Sequence, residues 1–246
     1  MIIGKYELNN IYNEDCYEAI KNIPDKSIDL IVMDPPYEIN ANGSGGSFGV
    51  EKRDYHNDVS RKLNYGISNE ILKELVRVMK KINIYIWCNK TQIRQYLDFF
   101  EGLGATSDLL TWHKTNPIPT CNNKYLSDTE YCLYFRKDGV PLYGDYETKK
   151  KYYVSATNTE DKKMYKHPTI KPINIVKNLI INSSKENDIV LDPFMGSGTT
   201  ALAAKELGRN YIGFEIDSKY HKIAVNRIGG LTADGQTSIY TFIEWK

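Results

Sequence analysis

Residues 28–34, IDLIVMD, constrain the fold more than any other stretch. They form a short apolar run rich in β-branched residues, and the run stops at an acidic residue followed by Pro35 and Pro36. Such a run predicts a strand buried on both faces, as parallel strands are. A strand covered on both sides needs helices above and below it, so this one segment already points to an α/β fold with a mostly parallel sheet.

The rest of the chain supplies the alternation that this fold requires. SNEILKELVRVMKK, residues 68–81, carries leucine and valine at helical spacing behind Ser68 as an N-cap, and INIYIWC, residues 82–88, reads as the next strand. A helix near 90–101, a strand near 107–113 and a strand at EYCLYFRK, residues 130–137, follow. In the last third Pro172 can open a helix through INIVKNLIINSS; strand DIVLDPF, helix TTALAAKELG, strand NYIGFEID and helix SKYHKIAVNRI come after it. Two stretches interrupt the pattern. Residues 38–66, with NANGSGGSFG, read as a long mobile loop, and residues 115–166 as an insertion on the rim.

At 246 residues the chain suits one such domain. It has no run of about 18 apolar residues and no basic-then-apolar N-terminus, which predicts a soluble cytoplasmic protein with neither membrane span nor signal peptide. Cys16, Cys88, Cys121 and Cys132 are scattered without CxxC spacing or a histidine cluster, so they read as reduced thiols, not as a zinc site or a disulfide framework. With a formal net charge of +1, any contact with nucleic acid must use local basic surface.

The segment Asp192-Pro193-Phe194-Met195-Gly196-Ser197-Gly198-Thr199-Thr200 lies between a predicted strand and a predicted helix, where open α/β sheets bind ligands. Glycines there let the backbone approach a ligand closely, although the pair also fits an ordinary tight turn. A phosphate-binding P-loop would need a lysine before the Ser or Thr, and GSGTT has none. Ala201 stands where a dinucleotide fingerprint has its third glycine, a substitution that fingerprint tolerates. The charge of Asp192 separates the candidates. An acidic strand end repels pyrophosphate but suits a ligand carrying an ammonium and a sulfonium, so S-adenosylmethionine fits better than NAD. The next strand ends in Glu215 and Asp217, where a carboxylate can accept from two ribose hydroxyls.

Asp34-Pro35-Pro36-Tyr37 follows the 28–34 strand and should lie at the same edge of the sheet. The four residues fit a plain turn, but they also fit a chemistry. An aromatic amine has its lone pair delocalised into the ring and is a poor nucleophile. Hydrogen bonds from its protons to the Asp34 carboxylate and the Pro35 carbonyl favour attack geometry, and one good contact of this kind stabilises a transition state by about 3 to 4 kcal/mol. Proline holds the neighbouring carbonyl in a fixed direction. Tyr37 offers a platform for a base lifted out of a duplex, offsetting about 1 to 3 kcal/mol of lost stacking.

DPPY, then HPTIKP at residues 167–172, then DPFMGSGTT resemble the amino-group DNA methyltransferases, and the order of the motifs resembles that family's beta group, over residues 10–228. Together the three motifs displace the turn-only readings. The resemblance implies a class I S-adenosylmethionine-dependent methyltransferase fold with a circularly permuted motif order. Its mostly parallel sheet would have seven strands, with EYCLYFRK as the one antiparallel strand. It implies that Asp192, Phe194, Gly196, Ser197, Gly198, Thr199 and Thr200 line the cofactor pocket with Asp34 alongside, and that Glu215 takes the ribose hydroxyls. Lys171 would meet the methionine carboxylate and Asp15 the cofactor's adenine amino group, although Asp15 is equally placed to cap a helix. Asp34, Pro35, Pro36 and Tyr37 would be the catalytic residues, and His167 structural. No cysteine follows a proline, which sets aside the cytosine C5 class.

The family's division of labour places a catalytic part at 1–114, a rim insertion at 115–166 with target recognition at 138–166, a cofactor part of the same domain at 167–230 and a C-terminal extension at 231–246. Between residues 113 and 172 stand eleven Lys or Arg against seven Asp or Glu. Lys149, Lys150, Lys151, Lys162 and Lys163 with Tyr125, Tyr143, Tyr146, Tyr152 and Tyr153 offer phosphate contacts and stacking. The expected activity is methylation of adenine N6 in DNA, with cytosine N4 methylation or a DNA-binding relative without catalysis as alternatives. The expected partners are DNA, a second copy of the chain and a cognate restriction endonuclease.

Overall fold

The computed structural model describes residues 1–37, 66–117, 119, 123, 125–166 and 169–237. The expected loop at 38–66 (apart from Gly66), Cys121, His167 and the end of the C-terminal extension lie outside the described residues.

A short hairpin of β1 (Ile2–Ile3) and β2 (Tyr6–Glu7) leads into β3 (Asn10–Tyr12), α1 (Cys16–Ala19) and a 3-10 turn, Ile20–Asn22. Next come β4 (Leu30–Met33), α2 (Asn69–Val78), β5 (Asn83–Cys88), α3 (Ile93–Gly102), β6 (Thr106–Lys114) and β7 (Thr129–Arg136). The chain continues with β8 (Tyr152–Ser155), α4 (Thr159–Tyr165), α5 (Ile173–Ser183), β9 (Ile189–Asp192), α6 (Thr199–Glu206), β10 (Asn210–Phe214) and α7 (Ser218–Ile228).

The main sheet has the order β3-β10-β9-β4-β5-β7-β6-β8. All its pairs are parallel except the two made by β7, so the EYCLYFRK segment is the antiparallel strand. Among the described residues the sheet carries eight strands where seven were expected. The addition is β8, which pairs along β6 from Thr111 to Lys114. Its four residues leave Tyr152 and Val154 exposed, and a strand so short within a lysine- and tyrosine-rich stretch offers no readable alternation.

Side chains of β4 alternate between two cores. Ile31 and Met33 join Ile71, Leu72, Leu75 and Val78 of α2 and Tyr96 and Phe100 of α3 on one face. Leu30 and Val32 join Val176, Leu179 and Ile180 of α5 and the alanines of α6 on the other. All four β4 residues are buried, each burial stabilising the fold by about 1.5 to 3 kcal/mol. Helix α2 stops at Val78, short of the expected Lys81, because Met79 turns extended and bridges Ile28 at the start of the β4 segment.

Chain direction decides where a ligand can sit. From β4 the chain moves outward to β5, and from β9 it moves the opposite way to β10. The crevice between the carboxyl ends of β4 and β9 is the topological switch point, the usual ligand site of such sheets.

Candidate active site at the carboxyl edge of the sheet

Parallel strands that end together bring distant acidic residues together. Asp15 follows β3, Glu215 follows β10, Asp192 ends β9 and Asp34 follows β4. Because β7 runs backwards, its second residue, Glu130, reaches the same edge. The reversal of this strand is the sequence signal for Glu130.

The glycine loop folds around Asp192. Its Oδ1 accepts from the Phe194 amide at 3.0 Å. Gly196 and Gly198 adopt φ of 54° and 81°, and the Gly196 amide donates to Glu215 Oε2 at 2.7 Å. Glu215 Oε1 accepts from the Asp217 amide at 2.9 Å. Burial pushes both the Asp192 and the Glu215 carboxyl up to about 7. Among the described residues neither has a lysine or arginine counter-ion within 4.0 Å. A buried and a half-buried acid without a cation beside a glycine loop fit a ligand that brings its own positive charge.

Asp15 caps α1, its Oδ1 accepting from the Tyr17 amide at 2.9 Å. Asn13, two residues earlier, bonds the Glu215 carbonyl at 2.7 Å and so holds the ends of β3 and β10 side by side.

The DPPY segment is tied down from several sides. Gln92 Nε2, buried before α3, donates to the Pro36 carbonyl at 3.2 Å, while no donor meets the Pro35 carbonyl among the described residues. The Tyr37 hydroxyl donates to Asp34 Oδ1 at 2.8 Å, and burial with the neighbouring Asp34 charge raises its pKa well above the ordinary value. The Lys171 ammonium is ion-paired with Asp34 Oδ2 and lies 3.3 Å from the Tyr37 hydroxyl and 3.2 Å from Glu130 Oε2. It also sits over the rings of Trp87 and Tyr37 at 5.0 and 5.7 Å. Burial would lower its pKa, but Asp34 and Glu130 outweigh burial and raise it. The helix-start lysine expected to meet a cofactor carboxylate is thus engaged with protein carboxylates, and a bound anion would have to displace one of them.

Sequence reasoning passed over four residues of this site: Glu130, its partner Lys114 at 2.7 Å, Gln92, and the buried Arg227 behind the glycine loop. Each acts through a contact more than 15 residues away, which no local motif records.

In the rim insertion, Tyr125, Tyr143, Tyr146 and Tyr152 are exposed, whereas Tyr153 packs inward against the sheet. Lys150 and Lys151 are paired with Glu147 and Asp108; Lys149 and Lys163 are exposed and have no side-chain partner among the described residues. No helix among the described residues is long and apolar enough to cross a membrane.

Known proteins resemble this chain in sequence and fold. A family model described as DNA methylase, for N6 and N4 methyltransferases, matches residues 28–226. The type II methyltransferase M2.LlaDCHI of Lactococcus lactis subsp. cremoris is 33% identical, with 91% of each chain covered. The crystal structure of the M1.HpyAVI–SAM complex superposes with a TM-score of 0.65 at 29% identity, covering 89% of this chain and 98% of that one. The cytosine-N4-specific PvuII DNA methyltransferase superposes with a TM-score of 0.66 and 93% of each chain covered, but at 17% identity this is a likeness of fold alone. The match across 28–226, the class I sheet and the acidic glycine loop agree: the chain belongs to the N6/N4 DNA methylase family and is an S-adenosylmethionine-dependent DNA methyltransferase.

Proposed function

We propose that the chain methylates the N6 amino group of adenine in DNA, with the target base extruded from the duplex into the crevice between β4 and β9. The observation that carries this reading is the position of Asp34: its carboxylate stands at the topological switch point, one strand from Asp192, with Tyr37 beside it and a Pro35 carbonyl that meets no donor among the described residues. S-adenosylmethionine supplies, when bound, a methyl group on cationic sulfur, which keeps the electron pair of the broken C–S bond.

The protein's own residues do the rest. Asp192, the 194–200 loop and Glu215 hold the cofactor, with Asp15 at its adenine end. Asp34 and the Pro35 carbonyl each accept one amino proton, which orients the nitrogen lone pair toward the methyl carbon as the N–C bond forms. Afterwards the nitrogen is cationic, and its surplus proton leaves toward Asp34 or water. Tyr37 stacks on the extruded base. The insertion at 138–166 contacts DNA through its exposed lysines and tyrosines. The type II naming of relatives favours a cognate restriction endonuclease, and dimerisation would supply recognition surface that so short an insertion lacks.

The test is to incubate the protein with unmethylated DNA and labelled cofactor, digest to nucleosides and identify the labelled one by mass. N6-methyldeoxyadenosine supports the proposal. N4-methyldeoxycytidine overturns the choice of base, and absence of label from every DNA nucleoside overturns the activity.

A further inference from the structure

Both oxygens of Asp34 are engaged: Oδ1 accepts from Tyr37 and Oδ2 is paired with Lys171. An amino group arriving at Asp34 therefore meets a carboxylate already neutralised by an ammonium, and Lys171 must move before the full charge can act on the substrate. The neighbouring residue offers a destination. Glu130 Oε1 is held by Lys114 at 2.7 Å, while Oε2 is buried and forms no hydrogen bond among the described residues. Lys171 Nζ lies 3.2 Å from Oε2, a charge contact without hydrogen-bond alignment. A buried acceptor with an unmade hydrogen bond is costly, and a small rotation of the lysine would complete it. The ring of Trp87 lies under the ammonium and favours a cation throughout that movement.

We propose that Glu130 is a positioning residue: it takes Lys171 from Asp34 when the target amino group arrives, and so frees the Asp34 carboxylate for methyl transfer. The proposal rests on the reading of Asp34 as acceptor for the amino group. The exchange moves no charge out of the site, because Asp34 and Glu130 balance Lys114 and Lys171 before and after it. Lys114 anchors the receiving carboxylate and stacks over Trp112 at 5.4 Å, which keeps Glu130 from following the lysine. Burial alone would raise the Glu130 carboxyl; Lys171 and Lys114 outweigh it and hold the group below its usual range, ionised and ready to accept.

Glu130→Gln keeps the shape of the side chain and removes its charge. Single-turnover methyl transfer at saturating cofactor and DNA should then fall at least about tenfold, with cofactor and DNA affinity within about twofold of the unaltered protein. Glu130→Asp, which restores the charge on a shorter arm, should recover most of the lost rate. A full rate in Glu130→Gln overturns the proposal. Equal losses in the two variants also overturn it, because Glu130→Asp restores the charge on which the exchange depends. Asp34→Ala separates this failure from that of the underlying reading. If it abolishes transfer while Glu130→Gln does not, only the role of Glu130 is lost, whereas an active Asp34→Ala defeats both.

Discussion

Arg227 of α7 and Asp161 of α4 meet at 3.0 Å, and the same guanidinium donates to Thr199 Oγ1 at 2.8 Å and Ser197 Oγ at 3.2 Å. One buried arginine, stacked on Tyr165 at 4.7 Å, thus joins the glycine loop to α4. A lysine carries a single ammonium and cannot span both partners. Arg227→Lys should cost about 3 kcal/mol in urea unfolding, the scale of breaking a buried pair, and should weaken cofactor binding in calorimetry. An unchanged unfolding midpoint would show that the strut is not structural.

Tyr37 holds Asp34 with its hydroxyl, and in the proposed reaction its ring stacks on the extruded base; two substitutions separate these roles. Tyr37→Phe keeps the platform and should lower the transfer rate less than tenfold, whereas Tyr37→Ala should also weaken DNA binding by about 1 to 3 kcal/mol. Asp34→Ala should reduce kcat by roughly a hundredfold or more while leaving cofactor binding nearly intact. Equal rates for Tyr37→Phe and Tyr37→Ala would remove the stacking role.

Asp192 and Glu215 make the cofactor-free protein sensitive to pH. Their folded pKa of about 7 stands above the ordinary 3.8 and 4.5, so the protonated folded form is favoured. The resulting stability is fully present below the unfolded values and is lost as pH rises through about 7. The melting temperature of the cofactor-free protein should therefore fall between mildly acidic and mildly alkaline pH, and Asp192→Asn should flatten the profile. Cofactor affinity should run the other way, rising over the same interval, because a cationic ligand prefers the ionised carboxylates. A cofactor affinity independent of pH would argue against contact with either group.

Gly198 has φ of +81°, and a Cβ there would lie 3.1 Å from the Cα and Cβ of Ala224 on α7. Gly198→Ala combines a left-handed backbone penalty of roughly 1 to 2 kcal/mol with that contact. It should lower the melting temperature and displace the α6 N-terminus. A stabilised variant would mean that the loop relaxes freely.

Lys149 and Lys163 are exposed cations without a side-chain partner among the described residues. If each meets a phosphate, replacing it with alanine should lower the salt slope of DNA binding by about 0.9. A slope unchanged in the double variant would move the DNA path elsewhere.

Much of this molecule is determined by short-range pattern. The apolar run at 28–34 dictates a strand buried on both faces, because no amphipathic arrangement can hide it. The aspartates and glycines after the strands place the site at the carboxyl edge, because chain direction and turn geometry are local. Helix ends and the edge strand were less legible: Met79 leaves its helix to bridge Ile28, and β8 exists because β6 offers it a free edge.

Only tertiary structure decided which charges meet. Lys171 lies 137 positions from Asp34 in the chain, and Glu130 joins them because β7 runs backwards. Arg227 reaches the glycine loop by folding α7 behind it. A motif records the residues that a turn or helix brings together. The partner of a buried charge is set by strand order and direction, since desolvation makes any nearby opposite charge count whatever its distance along the chain.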